Sequence, residues 1–274
     1  MIGIALAIGL NELEPEHYRG WSGALKSCEA DAHDMAGIAE SKRFKIKTLL
    51  TKEATRFNVI NAISNAADAL ISGDIFMMSY SGYGGQISNL NYDEITDYFN
   101  KTWCLYDGQF IDDELYAQLA KFKSGVRILI IVDSSYSGTE TNAANLTALK
   151  AAIENYQSFR TRNMPIEICD RVYRDNQSFY DEIFSYYYAR AKQDINASVL
   201  IIYGCQENQT SAENDANGLF TSSLIKVWHN GQFWGNYRRF HRDILNRMPP
   251  YQTPGFDRLG KIEPMFERQR PFKI

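Results

Sequence analysis

The sequence predicts an α/β protein, a three-layer sandwich with a mainly parallel central sheet of six or more strands and helices on both faces. Three observations carry that prediction. Short, continuously apolar runs such as Ile128 to Val132 and Val199 to Tyr203 have the length and make-up of strands buried on both faces. They alternate with segments of helical period, as βαβ units do. The runs that end at Tyr80 and Asp133 stop abruptly in small polar residues and glycine, as a buried strand does when it presents side chains at its carboxyl end.

Taken in order, Ile2 to Leu10 reads as the first strand. Cys28 to Glu40 reads as a helix with Ala32, Met35, Ala36 and Ala39 on its apolar side. Lys45 to Leu50 is the next strand. Thr51 to Ile71 holds a helix with Thr55 as N-cap and Val59, Ile60, Ile63, Ala66, Ala67 and Leu70 on one face. Asp74 to Tyr80 is a strand, Asp112 to Phe122 a helix opened by acidic residues, and Val126 to Asp133 a strand. Residues 140 to 178 break the rhythm, with a helix-like stretch from Leu146 to Phe159. Helices from Phe179 to Lys192, Leu219 to His229 and Asn236 to Met248 then surround the strand Ser198 to Tyr203. The end is rich in Pro, Arg and aromatics, and it is expected to wrap over the surface.

The chain of 274 residues is long enough to bury a sizeable core, and no repeat or linker divides it. We treat 1–274 as a single domain. The net charge of −4 without a Lys/Arg cluster argues against nucleic acid. No apolar run approaches a membrane span, and the first residues read as a strand rather than a signal peptide. Cys28, Cys104, Cys169 and Cys205 show no CxxC spacing, which suggests reduced thiols and a cytoplasmic location.

Six ordered motifs carry a resemblance. They are Trp21 to Ala32, Leu50 to Thr55, Tyr80-Ser-Gly-Tyr83-Gly-Gly-Gln86, Ile111 to Tyr116, Asp133-Ser-Ser135-Tyr-Ser-Gly-Thr139, and Gly204 to Glu213 with Asn217 to Thr221. Together they resemble the caspase and metacaspase cysteine peptidases, the bacterial orthocaspases among them. The resemblance implies a caspase-like sandwich with a large-subunit-like part, about 1–165, and a small-subunit-like part, about 166–274. It also places Tyr83 where the family has its catalytic His and Ser135 where it has its catalytic Cys.

That reaction needs a thiol with thiolate character and an imidazole able to protonate the departing amine. A tyrosine with an ordinary pKa near 10 is ionised in roughly one molecule in a thousand at pH 7. Disabling members of a catalytic triad costs about 10⁴- to 10⁶-fold in turnover. No functional catalytic residue is therefore expected. Tyr83 and Ser135 would fill the old cleft, with a Tyr83–Ser135 hydrogen bond as one arrangement. None of His17, His33, His229 and His241 sits beside either motif.

The resemblance further implies a pocket for Arg or Lys built from Cys28, Asp31, Ser81 and Asp133. Two carboxylates facing one cleft suit a guanidinium, supplied by a basic partner segment, by an active relative or by a loop of the chain itself. The plainer alternative makes Asp133 a turn cap and Asp31 a first-turn helix acid. Many metacaspases bind calcium, and Asp97, Asp112 and Asp113 match such ligands. Asn100, Lys101 and Asn142 stand where acids would be expected, so no cofactor is required and any calcium site is expected to be weak.

The leading expectation is a pseudopeptidase with a binding or regulatory role, no enzyme, and a monomer in preference to an edge-strand dimer. Its rivals are an Arg/Lys-specific endopeptidase with Ser135 as nucleophile and a purely structural interaction protein. Lys150, Arg160, Arg162, Arg171 and Arg174 are candidate cut sites, and the chain is expected to stay intact.

Overall fold

Strand β1 (Gly3–Gly9) is followed by α1 (Cys28–Ser41), β2 (Lys45–Leu50), α2 (Arg56–Ala69) and β3 (Ile75–Ser81) in the computed structural model. The structure describes residues 1–88, 99–135, 160–206, 209–214 and 216–274. Three strands, β4 (Gly84–Ser88), β5 (Phe99–Leu105) and β6 (Gly108–Ile111), then lead into α3 (Asp112–Leu119) and β7 (Arg127–Asp133). Next come β8 (Arg160–Thr161), α4 (Ile166–Asp175), α5 (Gln177–Ala191), β9 (Ser198–Tyr203) and β10 (Ala212–Glu213). Helices α6 (Leu219–Trp228) and α7 (Tyr237–Leu245), strand β11 (Gly255–Gly260) and the short α8 (Pro264–Arg268) complete the chain.

The central sheet has the order β11-β9-β7-β3-β1-β2. All neighbours run parallel except β11, which pairs antiparallel with β9. Register brings Gly9 opposite Ser81 and Ser81 opposite Asp133, so three strand ends finish at one level. Successive side chains alternate between two cores, as the pleat requires. Leu6, Ile8, Met78, Ile130 and Val132 meet Val59, Ile63, Leu119 and Tyr180. Ala5, Met77, Leu129 and Ile131 meet Met35, Ile38, Phe220, Leu224 and Phe240. The six-stranded, helix-covered sheet is the predicted architecture, and Thr55 caps α2 by accepting from the Asn58 amide at 3.2 Å.

Two of the differences from the sequence reading reshape the fold. Strands β4, β5 and β6 form a separate antiparallel sheet, joined to the core where Tyr80 stacks on Trp103 with ring centroids 4.6 Å apart. The proline-rich end does not simply wrap over the surface. It supplies β11, and Glu267 then ties α8 to Arg238 and Arg258. Proline is tolerated here because Pro249, Pro250 and Pro254 precede an edge strand. Among the described residues, no helix is long and apolar enough to cross a membrane.

Candidate active-site cleft

The turn after β3 places Tyr83 beside the end of β7. Its hydroxyl donates to the Gly23 carbonyl at 2.5 Å, and its ring meets Trp21 edge-on at 4.7 Å. The loop bends tightly around this ring: Gly23 has φ +79°, and a Cβ there would lie 2.5 Å from the Tyr83 ring. Burial, reinforced by Cys28 and Glu213, pushes the Tyr83 phenol well above its ordinary pKa. The Tyr83–Ser135 arrangement is thereby corrected, because the Tyr83 hydroxyl turns to Gly23 instead.

Ser135 is fully buried. Its Oγ accepts from the Ser211 amide at 2.7 Å and lies 3.3 Å from the Ser211 carbonyl. Its backbone amide donates to the Arg162 carbonyl at 3.1 Å, and the Gly84 amide donates to the same oxygen at 2.9 Å. Gly84 has no room for a side chain, since a Cβ would lie 1.7 Å from the Ser135 carbonyl oxygen.

The acidic pocket exists and is filled by Arg162, whose side chain has no exposure to solvent. Arg162 Nη2 lies 2.6 Å from Asp31 Oδ2, 3.2 Å from Glu213 Oε2 and 3.0 Å from Ser27 Oγ. Nη1 lies 3.1 Å from Asp133 Oδ2 and donates to the Asp133 carbonyl at 3.0 Å. Burial alone would lower the pKa of such a group. Asp133, Asp31 and Glu213 outweigh it and raise the guanidinium pKa well above the usual value.

The three carboxylates are themselves well held. Asp31 also accepts from the Gly218 amide and Asn217 Nδ2, and Asp133 accepts from the Thr221 amide and hydroxyl. Glu213 takes the Lys26 amide at 2.8 Å and the Ser27 hydroxyl at 2.7 Å. Burial pushes the Asp31 carboxyl up to about 6, against the pull of Arg162. Asp133 therefore cages a guanidinium and, in place of the local turn cap weighed from sequence, accepts from the first turn of α6, 88 residues further on.

Cys28 sits at the pocket wall, with Sγ 3.7 Å from Glu213 Oε2 and burial pushing its thiol up. Ser81 is buried at the end of β3 but is not among the partners of the guanidinium in the described residues. Glu213 and Ser27 belong to the pocket and were not assigned to it from sequence. Both lie within the quoted motifs, but nothing local marks a carboxylate whose partner is 51 residues away.

Of the calcium candidates, Asp97 lies outside the described residues. Asp112 opens α3 and accepts from the Asp113 amide at 3.0 Å and the Lys101 amide at 3.4 Å. Among the described residues, no group of three or more His, Cys, Asp or Glu converges as a metal cage.

Comparison with known proteins places the fold in a family. The profile of the caspase domain matches residues 2–272. Metacaspase-1 of Schizosaccharomyces pombe is 26% identical over 250 residues, covering 80% of this chain and 57% of the relative. Metacaspase-1 of Arabidopsis thaliana is 26% identical over 223 residues, covering 75% of this chain and 53% of the relative. The chain thus spans about half the length of these curated relatives. The crystal structure of protein GSU0716 from Geobacter sulfurreducens is 49% identical, with a TM-score of 0.88 over 100% of this chain and 99% of that one. On a match that runs nearly from end to end, and on a fold shared with that crystal structure, the chain belongs to the caspase-domain family.

Proposed function

We propose that this chain is a metacaspase-like pseudopeptidase with a binding or regulatory role, inactive because Tyr83 and Ser135 replace the His–Cys dyad. The observation that carries the reading is the commitment of both hydroxyls. Tyr83 donates to Gly23, and Ser135 Oγ is engaged with the Ser211 backbone. A phenol held above its ordinary pKa is a poor base at neutral pH. Without an adjacent base, the serine hydroxyl is a weak nucleophile.

One observation favours the rival, an Arg/Lys-specific endopeptidase working through Ser135. Two main-chain donors, Gly84 and Ser135, still point at a single carbonyl oxygen as an oxyanion hole does. Fluorogenic peptides ending in Arg or Lys separate the two readings when offered to the wild type, to Ser135→Ala and to Tyr83→His/Ser135→Cys. We expect no turnover by the wild type above the Ser135→Ala background. Wild-type turnover that disappears in Ser135→Ala would overturn the pseudopeptidase reading.

A further inference from the structure

We infer that residues 160–164 are a resident pseudosubstrate: the chain holds its own Arg162–Asn163 peptide bond in the cleft, so that the acidic pocket is closed to any other arginine until this strand leaves. The inference rests on the proposed function and names the occupant of its binding site.

A buried arginine that served only as a structural counter-ion would need no more than its salt bridges. Here the main chain is held as well. The Arg162 amide donates to the Ser211 carbonyl at 2.9 Å, and β8 pairs antiparallel with β10, Thr161 opposite Ala212 and Arg160 opposite Glu213. Beyond Arg162, the Met164 amide donates to the Gly84 carbonyl at 2.8 Å. The segment therefore crosses the cleft as an added strand, the usual way a sheet edge grips an extended peptide.

The Arg162 carbonyl carries the more specific sign. Both of its donors, at 2.9 and 3.1 Å, come from the residue after Tyr83 and from Ser135 itself. Donors at these distances polarise a carbonyl for attack by a nucleophile on the same turn. The pocket is also cut to the size of this side chain. A Cβ on Gly218 would lie 2.2 Å from Asp133 Oδ2 and 2.7 Å from Arg162 Nη1. Pocket, carbonyl site and flanking ladder all converge on one residue.

Restoring the dyad turns this placement into chemistry that can be read. In Tyr83→His/Ser135→Cys, the thiolate would attack the Arg162 carbonyl carbon. The bond to Asn163 would break as the imidazolium protonates the departing amine. Water would then release the acyl group from sulfur, leaving an Arg162 carboxylate and a regenerated thiol. Intact-mass analysis of the purified revertant should show two fragments, 1–162 and 163–274, formed at a rate independent of protein concentration. A revertant that cleaves an external arginine peptide but stays whole, or that cuts itself elsewhere, overturns the inference.

A second measurement does not depend on restored catalysis. Arg162→Ala, or Arg162→Gln should the first not fold, is titrated with N-acetyl-arginine-N-methylamide and followed by thermal unfolding. With ligand tenfold above its Kd, the variant should gain roughly 3 °C or more. The wild type should gain nothing at the same concentration. Equal shifts in both proteins, or none in the variant, overturn the inference. Wild-type turnover of an external arginine peptide that is lost in Ser135→Ala would sink the pseudopeptidase reading and, because it needs an open pocket, the closure as well; equal thermal shifts without any turnover would overturn the inference alone.

Discussion

At the scale of single residues, the cleft is dominated by one cation among three carboxylates, all removed from water. Breaking such a cluster by deleting one partner typically costs about 3–5 kcal/mol, because the remaining charges are left buried and uncompensated. Arg162→Ala should show a loss of that order, and its pH dependence has a definite sign. Asp31 moves from an unfolded value of 3.8 to about 6 in the fold. An acid raised by folding destabilises the protein when it ionises, so the cost is absent below about pH 4 and complete above about pH 6. Without Arg162 to oppose burial, the Asp31 carboxyl should titrate higher still. The stability deficit of Arg162→Ala should therefore be larger at pH 8 than at pH 5, as measured by calorimetry. A deficit that is flat or grows on acidification would show that the carboxylates are not what Arg162 stabilises. Asp31 and Asp133 were legible in sequence because they stand in family motifs. Arg162 was legible as one of five candidate cut sites, and a loop of the chain as one source of the guanidinium; that the two coincide was not, since the Asp31 partner lies 131 positions away.

At the scale of elements, what could be read depended on how apolar each element is. The long parallel strands and α1, α2 and α6 were evident, because burial on one or both faces leaves a periodic trace. Strands β4 to β6 left none: they place Gln86, Asn100, Thr102 and Gln109 in buried positions, so alternation is hidden. Helix α4 was also missed, with only Cys169 and Val172 buried along it. The loop that carries Ser211 is held by another residue no pattern marks. Gln252 Nε2 donates to the Gly204 carbonyl and to Ser211 Oγ, both at 3.0 Å, and its Oε1 accepts from the Ala212 amide at 3.2 Å. Gln252→Ala removes all three bonds inside a buried site, and leaving such groups unpaired costs about 1–3 kcal/mol each at most. A fall in urea midpoint with an unchanged m-value is the expected result. No change in midpoint would mean that the loop is held mainly by its other contacts.

At the scale of the whole molecule, the cluster joins parts of the chain that are far apart in sequence. Asp31 comes from α1, Asp133 from the end of β7 and Glu213 from β10, while Arg162 lies between the last two. The strand around Arg162 should therefore open only when these elements separate. Trypsin normally cuts after arginine, yet the Arg162–Asn163 bond should resist it under native conditions. Cutting there should rise in step with global unfolding across a urea series, as followed by mass spectrometry. Rapid native cleavage after Arg162 would mean that the strand detaches alone.

The cis-bound arginine also sets terms for any visitor, because it competes at a concentration that dilution cannot lower. A segment of the same chain meets its site at an effective concentration commonly in the mM range. If the filled state outweighs the vacant one by about 10³, a peptide with an intrinsic Kd of about 1 μM would bind with an apparent Kd of about 1 mM. An arginine from outside would then register only when it is abundant, multiply tethered, or delivered by a partner that has already drawn Arg162 away.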